Sequence, residues 1–262
     1  MKRRAFSLIE VLVVIAIIMI LMGILLATIE RVRHQAYRAR CASNLRQVGQ
    51  SILMYVNENH GEWPRTTYVP GAPLTKGTGG AAPDPFGPAG PAPNDLTANA
   101  FLLLRAAKLP SQMVMCPYND VNVFEPEPAN PLTRSNFTDY HKNLGYSFVN
   151  PYPDPAAVAK GYRMTARLGA EFAVAADLNP GTSTPRDDVT APTPGAPSAV
   201  QKKALSRNHE KSGQNVLYGD AHVQWQNTAL CGTRGDNIYT NRSNEVEASP
   251  IDKDDSVLLP TN

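Results

Sequence analysis

Hydrophobic side chains fill the amino-terminal part of the chain almost without interruption. Between Phe6 and Ile29 the only ionisable side chain is Glu10. Because about 20 apolar residues are enough to cross the hydrocarbon core of a bilayer as a helix, the pattern predicts a membrane-spanning helix over residues 6–29. A carboxylate is costly inside a membrane, so we expect Glu10 to require a partner from outside its own helix.

Apolar residues then recur at steps of three and four positions from Val32 to Val56. This spacing places them on one face of a helix, so residues 30–60 are predicted to form an amphipathic extension of the membrane helix. Gly61 and Pro64 are predicted to end it. The apolar face of this extension offers a surface on which a sheet can pack.

Two stretches rich in proline and glycine, residues 64–94 and 180–197, favour surface loops because few of their positions can contribute to a packed core. Between them, Thr97–Leu109 predicts a short helix, with Asp95 or Thr97 at its amino-terminal cap.

Short apolar runs then alternate with turn residues, which is the pattern of β-strands. Gly219 and Asp220 separate the last two runs and indicate a hairpin turn. A long amino-terminal helix packed on a small antiparallel sheet, an α+β fold, is therefore predicted, with a globular domain over residues 61–262. The predicted strands are Met113–Cys116, Gly145–Val149, Glu171–Ala176, Asn215–Tyr218 and Ala221–Gln226.

Composition and charge limit the classes of function. The chain of 262 residues is long enough for one membrane helix and one soluble domain. Its formal net charge of +2 argues against a nucleic-acid partner bound through a broad basic field. Basic residues flank the apolar run on both sides, so charge alone leaves the orientation in the membrane open. They are Lys2, Arg3 and Arg4 before it, and Arg31, Arg33, Arg38 and Arg40 after it.

Four interpretations of the amino-terminal segment compete. A cleaved secretory signal has a shorter apolar core than this one, and a plain signal anchor would leave Glu10 unexplained. So continuous an apolar run argues against a buried helix of a soluble protein. A cut between Ala5 and Phe6 would instead create a new amino group at Phe6. That amine can pair with Glu10 of a neighbouring helix displaced along a filament axis, which accounts for the carboxylate.

The basic leader that ends at Ala5, the sequence Phe-Ser-Leu-Ile-Glu from Phe6 to Glu10, and the long apolar run resemble a known signal. It is the prepilin-type cleavage and methylation signal of type IV pilins and type II secretion pseudopilins. The resemblance implies a leader peptide over residues 1–5, cleavage between Ala5 and Phe6, methylation of the Phe6 amine, and a role for Glu10 in subunit assembly. Ala5 departs from the glycine that most of the family has before the cut.

The same resemblance implies a structural subunit, pseudopilin or pilin-like, of a type II secretion or type IV pilus-like filament, with no enzymatic activity. The implied partners are copies of this chain, other pilin-like subunits, the prepilin peptidase and methyltransferase, an inner-membrane assembly platform, and membrane lipid. The implied location is the cytoplasmic membrane, crossed once, with a cytoplasmic amino terminus and an exported carboxyl-terminal domain. The alternative is a membrane-anchored periplasmic or extracellular domain that binds polysaccharide or another ligand.

Four further segments resemble a large prepilin-associated family named for a His-x9-Asp-Gly element. Here ten residues separate His209 from Asp220, and Ala221 stands where that family has glycine, so the hairpin is expected to differ locally. The four segments are Cys41–Gly49, Cys116–Pro117, Ala176–Asp177 and His209–His222.

His209, Asp220 and His222, with Asp177 at the end of a predicted strand, are weak candidates for a metal site. No close pair of ligands supports a metal, so we favour a turn that Asp220 stabilises and against which His209 packs. We therefore predict no metal and no cofactor. No Gly-x-Ser-x-Gly element occurs, and we predict no enzyme.

An acidic group near the carboxyl terminus leaves calcium as a weak possibility. Asp252, Asp254 and Asp255 alternate as ligands of a calcium loop do, and major type II pseudopilins carry calcium in this region. The twelve-residue calcium-loop pattern is absent, however, and Lys253 lies among the carboxylates, so a solvated acidic turn is favoured.

Cys41 and Cys116 both fall in segments that resemble the prepilin-associated family, and export would place them in an oxidising compartment. We hypothesise a Cys41–Cys116 disulfide that ties the helix to the first strand and leaves Cys231 free. Two buried thiols are the alternative.

Overall fold

A computed structural model describes residues 7–118, 124–165, 168–181 and 194–261 of the chain. Ala5 and Phe6, where cleavage and methylation are predicted, lie outside these residues, as does most of the predicted loop 180–197. The chain divides into two compact units, Met1–Ala39 and Arg40–Asn262. The second unit begins within the long helix rather than after it.

The first element is α1, which covers Leu8–Glu58. Its length confirms the prediction of one continuous helix from the apolar run into the soluble part. In the second unit the residues of α1 that face the core recur every three or four positions, as the spacing predicts. Leu45, Val48, Ile52 and Val56 are at most 3% exposed and belong to the main hydrophobic core.

A five-stranded sheet provides the opposite side of that core. All of its neighbouring strands are antiparallel, and their order is β4-β3-β2-β1-β5. This arrangement confirms the predicted α+β fold. The strands are β1 Tyr146–Val149, β2 Ala173–Asp177, β3 Gln214–Tyr218, β4 Val223–Gln226 and β5 Leu258–Leu259.

Two details of the predicted sheet are wrong. The segment Met113–Cys116 is predicted to be a strand, but Ser111–Val114 forms a 3-10 turn after Pro110, in which the Met113 NH donates to the Pro110 carbonyl at 2.9 Å. No strand is predicted after Gln226, yet Leu258 and Leu259 pair with Val149 and Phe148 as β5. A two-residue edge strand is too short to be recognised from periodicity.

The helix after the first loop is α2, Leu96–Ala106, with Asp95 as its N-cap. The predicted cap is confirmed, although the helix ends at Ala106 rather than at Leu109. The Asp95 carboxylate is fully buried and accepts hydrogen bonds from the backbone NH groups of Thr97 and Ala98 and from Thr78 in the loop. It therefore joins the proline-rich loop to the core. Three short helices complete the fold: α3 Tyr140–Asn143, α4 Pro155–Ala159 and α5 Ser198–Lys203.

Candidate functional site

The entry to α1 is a reciprocal hydrogen-bonded cap. The Ser7 backbone NH and hydroxyl donate to Glu10 Oε2 at 2.8 and 3.0 Å, and the Glu10 backbone NH donates to Ser7 Oγ at 3.3 Å. A serine followed three residues later by a glutamate that returns the bond is a capping box, which satisfies donors that a helix start leaves open. Within one chain, the Glu10 carboxylate is therefore held at the first turn by Ser7.

The first unit exposes apolar side chains all round the helix. Leu8 is 83% exposed and Leu26 is 67% exposed, and large hydrophobic residues are exposed along the whole run between them. Among the residues that the structure describes, Leu8–Glu58 is the one helix long and apolar enough to cross a membrane. Such a surface needs lipid or the apolar helices of other subunits around it.

Residues 1–26 match the family model of the prokaryotic N-terminal methylation motif. The chain carries a prepilin-type cleavage and methylation signal. This N-terminal methylation motif is the type found in pilins and pseudopilins, which prepilin peptidase processes and which assemble into pilin-type filaments. No curated protein and no solved structure matches the chain significantly.

The motif includes Ala5 and Phe6, so the predicted cut and methylation fall inside the matched segment. Both residues lie outside those that the structure describes, and their roles stay predictions. Glu10 is the predicted site residue of the motif that the structure does place. Its position on the first turn of an exposed apolar helix leaves it within reach of a second chain.

Outside the motif, the turn between β3 and β4 holds Asp220 and His222 together. The Asp220 Oδ1 and His222 Nδ1 atoms lie 2.5 Å apart, and both side chains are more than 40% exposed. Hydrogen bonds from the His222 backbone and ring lower the pKa of the Asp220 carboxyl. Ala221 has a φ of +67°, a conformation that glycine adopts with less strain. The hairpin was expected to differ from the prepilin-associated family where Ala221 replaces glycine, and at this position the turn is strained.

His209 lies elsewhere, in the interior of the second unit. Its ring is 2% exposed, stacks on Tyr118 at 6.0 Å and meets the edge of Trp225 at 5.5 Å. In the part of the chain that the structure describes, it forms no three-ligand group with Asp220 and His222. The structure thus separates the three residues that the sequence grouped as a weak metal candidate.

Four other side chains meet around His209, and we call Cys41, Cys116, Asp177 and His209 the buried cluster. Their ligand atoms all lie within 4.8 Å of one another, and all four residues are buried. The two Sγ atoms are 2.8 Å apart, and both cysteines are free thiols. His209 Nε2 is 3.6 Å from Cys116 Sγ and 3.6 Å from Asp177 Oδ2. The predicted Cys41–Cys116 disulfide stays a prediction.

Burial controls the charges of this cluster. It raises the pKa of the Asp177 carboxyl, although His209 and three hydrogen bonds from Asn208 and Asn215 oppose the rise. Burial also raises the pKa of the Cys116 thiol well above its usual value. Burial opposes ionisation of Cys41 too, but hydrogen bonds with Cys116 and His209 outweigh it and lower the pKa of that thiol. One thiol of the pair therefore ionises far more readily than the other.

The sequence analysis names each member of the cluster but does not predict that the four lie together. Each of the four segments that resemble the prepilin-associated family contributes one member, and this shared origin could have indicated the cluster. Tyr146 was missed altogether. Its side chain is fully buried, its hydroxyl has no hydrogen-bond partner, and Tyr146 is paired with Asp177 across β1 and β2.

The carboxyl-terminal acidic turn is neutralised by arginine. Arg242 Nη1 lies 2.7 Å from Asp252 Oδ2, and Arg234 Nη1 lies 3.4 Å from Asp254 Oδ2. Asp255 accepts hydrogen bonds from the backbone NH groups of Ile251 and Arg242 instead. These contacts supply the countercharge that a calcium ion would bring, and calcium binding here stays a hypothesis.

Beside this turn, burial raises the pKa of Asp236 to about 7. Because the folded state then holds a proton that the unfolded state releases near pH 4, the free energy of unfolding should fall as pH rises from about 4 to about 7. Asp236→Asn cannot ionise, so it should be at least as stable as wild type at pH 5 and more stable at pH 8 by roughly 2–4 kcal/mol. Denaturant unfolding at the two pH values measures the difference.

The matched control is Asp84→Asn, because Asp84 lies on a loop and its carboxylate accepts a bond from the exposed Phe86 NH. Its free energy of unfolding should stay within about 0.5 kcal/mol of wild type at pH 5. A pH slope of Asp236→Asn that equals the wild-type slope would contradict the assignment of the buried proton to Asp236.

Proposed function

We propose that the chain is a structural subunit, pseudopilin or pilin-like, of a type II secretion or type IV pilus-like filament. The observation that carries the proposal is the N-terminal methylation motif at residues 1–26 at the head of an exposed apolar helix. In this proposal the function of the chain is assembly, and no side chain acts as a catalyst.

The proposed mechanism begins with the chain stored in the cytoplasmic membrane, its amino terminus on the cytoplasmic side and its second unit exported. Prepilin peptidase cuts between Ala5 and Phe6, and the new amine of Phe6 is methylated. The amine is positively charged, and in the sequence Phe6 comes two residues before Leu8, the first residue of α1. The Phe6 amine of one subunit can therefore neutralise the Glu10 carboxylate of a neighbouring subunit.

Assembly then exchanges one apolar environment for another. Helices that leave the bilayer bury the same hydrophobic side chains against each other, so little hydrophobic free energy is lost. The charge pair between Glu10 and the Phe6 amine of a neighbour forms in a medium of low dielectric constant, where a wrong axial offset leaves two unpaired charges. Glu10 therefore sets the offset between subunits. The assembly platform and the other pilin-like subunits of such a system are the proposed partners.

Amino-terminal analysis of the protein extracted from membranes tests the proposal directly. Intact mass and peptide sequencing should show a mature chain that begins with N-methylated Phe6. A matched Ala5→Glu variant places a large charged residue at the cut and should leave the leader attached. A mature wild-type chain that still begins at Met1 would overturn the proposal.

A membrane-anchored ligand-binding domain is the competing function. It predicts saturable binding of a polysaccharide to the full-length protein in detergent, and an unprocessed amino terminus. The methylation motif favours the filament subunit, because a plain anchor needs no cleavage site.

A further inference from the structure

The buried cluster joins four separate parts of the second unit. Cys41 lies on α1, Cys116 follows the 3-10 turn after α2, Asp177 ends β2, and His209 begins the turn before β3. A hydrogen bond that does not involve the ligand atoms joins the segments of Cys41 and Cys116. Asn44 Nδ2, one turn after Cys41, donates to the Met115 carbonyl at 3.0 Å.

The donor set is that of zinc. Two thiols, one imidazole and one carboxylate are the side chains that bind Zn²⁺ with four-coordinate, tetrahedral geometry. With zinc-to-ligand distances of about 2.0–2.3 Å, a tetrahedral site separates its ligand atoms by roughly 3.3–3.8 Å. The 3.6 Å distances from His209 Nε2 to Cys116 Sγ and to Asp177 Oδ2 fall in this range.

The two sulfur atoms would have to move apart. At 2.8 Å they are closer than two non-bonded sulfur atoms normally approach, and zinc would separate them by about 3.7 Å.

The surroundings fit a buried metal. Metal-ligating carboxylates are usually held by further hydrogen bonds, and Asp177 accepts them from the Asn215 backbone NH at 2.7 Å and from the Asn208 side chain at 3.4 Å. Tyr146, which is paired with Asp177 across β1 and β2, is fully buried. Tyr118 and Trp225 cover the His209 ring, so the cluster is closed on that side.

We propose that the buried cluster binds one structural zinc ion. Two thiol protons leave for solvent, two zinc-to-sulfur bonds form, and the imidazole and the carboxylate complete the coordination. Two thiolates, one carboxylate and one zinc ion sum to a charge of −1, which the amide donors of Asn208 and Asn215 stabilise. All four positions are filled by protein, so the ion fastens α1 to the sheet and has no open position for a substrate.

Zinc analysis of the full-length protein tests the site. The chain is purified in detergent with a tag that contains no histidine, without chelators. Elemental analysis should find about one zinc per chain, as expected for a four-ligand structural site. Cys41→Ser should lower the zinc content at least fivefold. Cys231→Ser is the matched control, because Cys231 is half-buried outside the cluster, and it should keep the zinc of wild type.

A second measurement covers the case in which Cys41→Ser fails to fold. Wild-type protein stripped of zinc and reloaded with Co²⁺ should show the thiolate-to-cobalt charge-transfer band and the visible bands of a tetrahedral site. A Cys41–Cys116 disulfide peptide in a non-reduced digest of zinc-free wild-type protein would overturn the proposal. Equal zinc in wild type and folded Cys41→Ser would do so as well.

Discussion

Glu10→Val is expected to leave membrane insertion intact and to reduce incorporation into filaments by about tenfold or more, the effect of roughly 1.4 kcal/mol per contact. The substitution lengthens the apolar run, so the helix still inserts. If Glu10 pairs as proposed, the substitution also leaves the Phe6 amine of a neighbouring subunit buried without a countercharge, and removing one partner of a buried ion pair is strongly unfavourable. Co-purification of the tagged variant with wild-type filaments measures the loss.

Two matched variants separate the intermolecular role of Glu10 from its role in the cap. Glu30→Val makes the same substitution one residue after the apolar run and should incorporate like wild type. Ser7→Ala removes the hydroxyl of the capping box and keeps the carboxylate, so it too should incorporate. Equal losses for Ser7→Ala and Glu10→Val would assign the effect to the helix start, against the proposed pairing between subunits.

Gly145→Ala is expected to destabilise the second unit by about 2–3 kcal/mol. A Cβ at this position would lie 2.5 Å from the Cys116 backbone nitrogen and 3.1 Å from Met115 Cα, which are main-chain atoms that cannot rotate away. The glycine is also held in place, because its NH donates to the Val114 carbonyl at 2.8 Å and its carbonyl accepts from Asn208 at 3.0 Å. Denaturant unfolding of the full-length protein in detergent measures the change.

Gly169→Ala is the matched control, since no atom lies within 4 Å of the Cβ that it would add. Its free energy of unfolding should stay within about 0.5 kcal/mol of wild type. If the two variants were equally stable, the close approach of Gly145 to the Cys116 backbone would not hold.

The spacing of residues along the chain predicts the structure correctly where the feature belongs to a single helix. The stripe of Leu45, Val48 and Ile52 is buried as its spacing predicts, and Asp95 caps α2. The same spacing does not predict strands correctly, because whether a segment forms a strand depends on the segment beside it. The segment from Met113 has strand-like side chains but starts within the 3-10 turn that follows Pro110, and Leu258 and Leu259 form a strand because β1 offers them an edge.

The sequence by itself determined the membrane helix, the lone carboxylate inside it and the cleavage signal before it, because each depends on residues adjacent in the chain. The tertiary structure alone decided that Cys41 meets Cys116, 75 positions away, and that His209 joins them rather than Asp220 and His222. The antiparallel register pairs Asp177 with Tyr146. The loops determine which side chains pack together in the core. Such long-range choices follow from the packing of the whole core, which no local run of residues specifies.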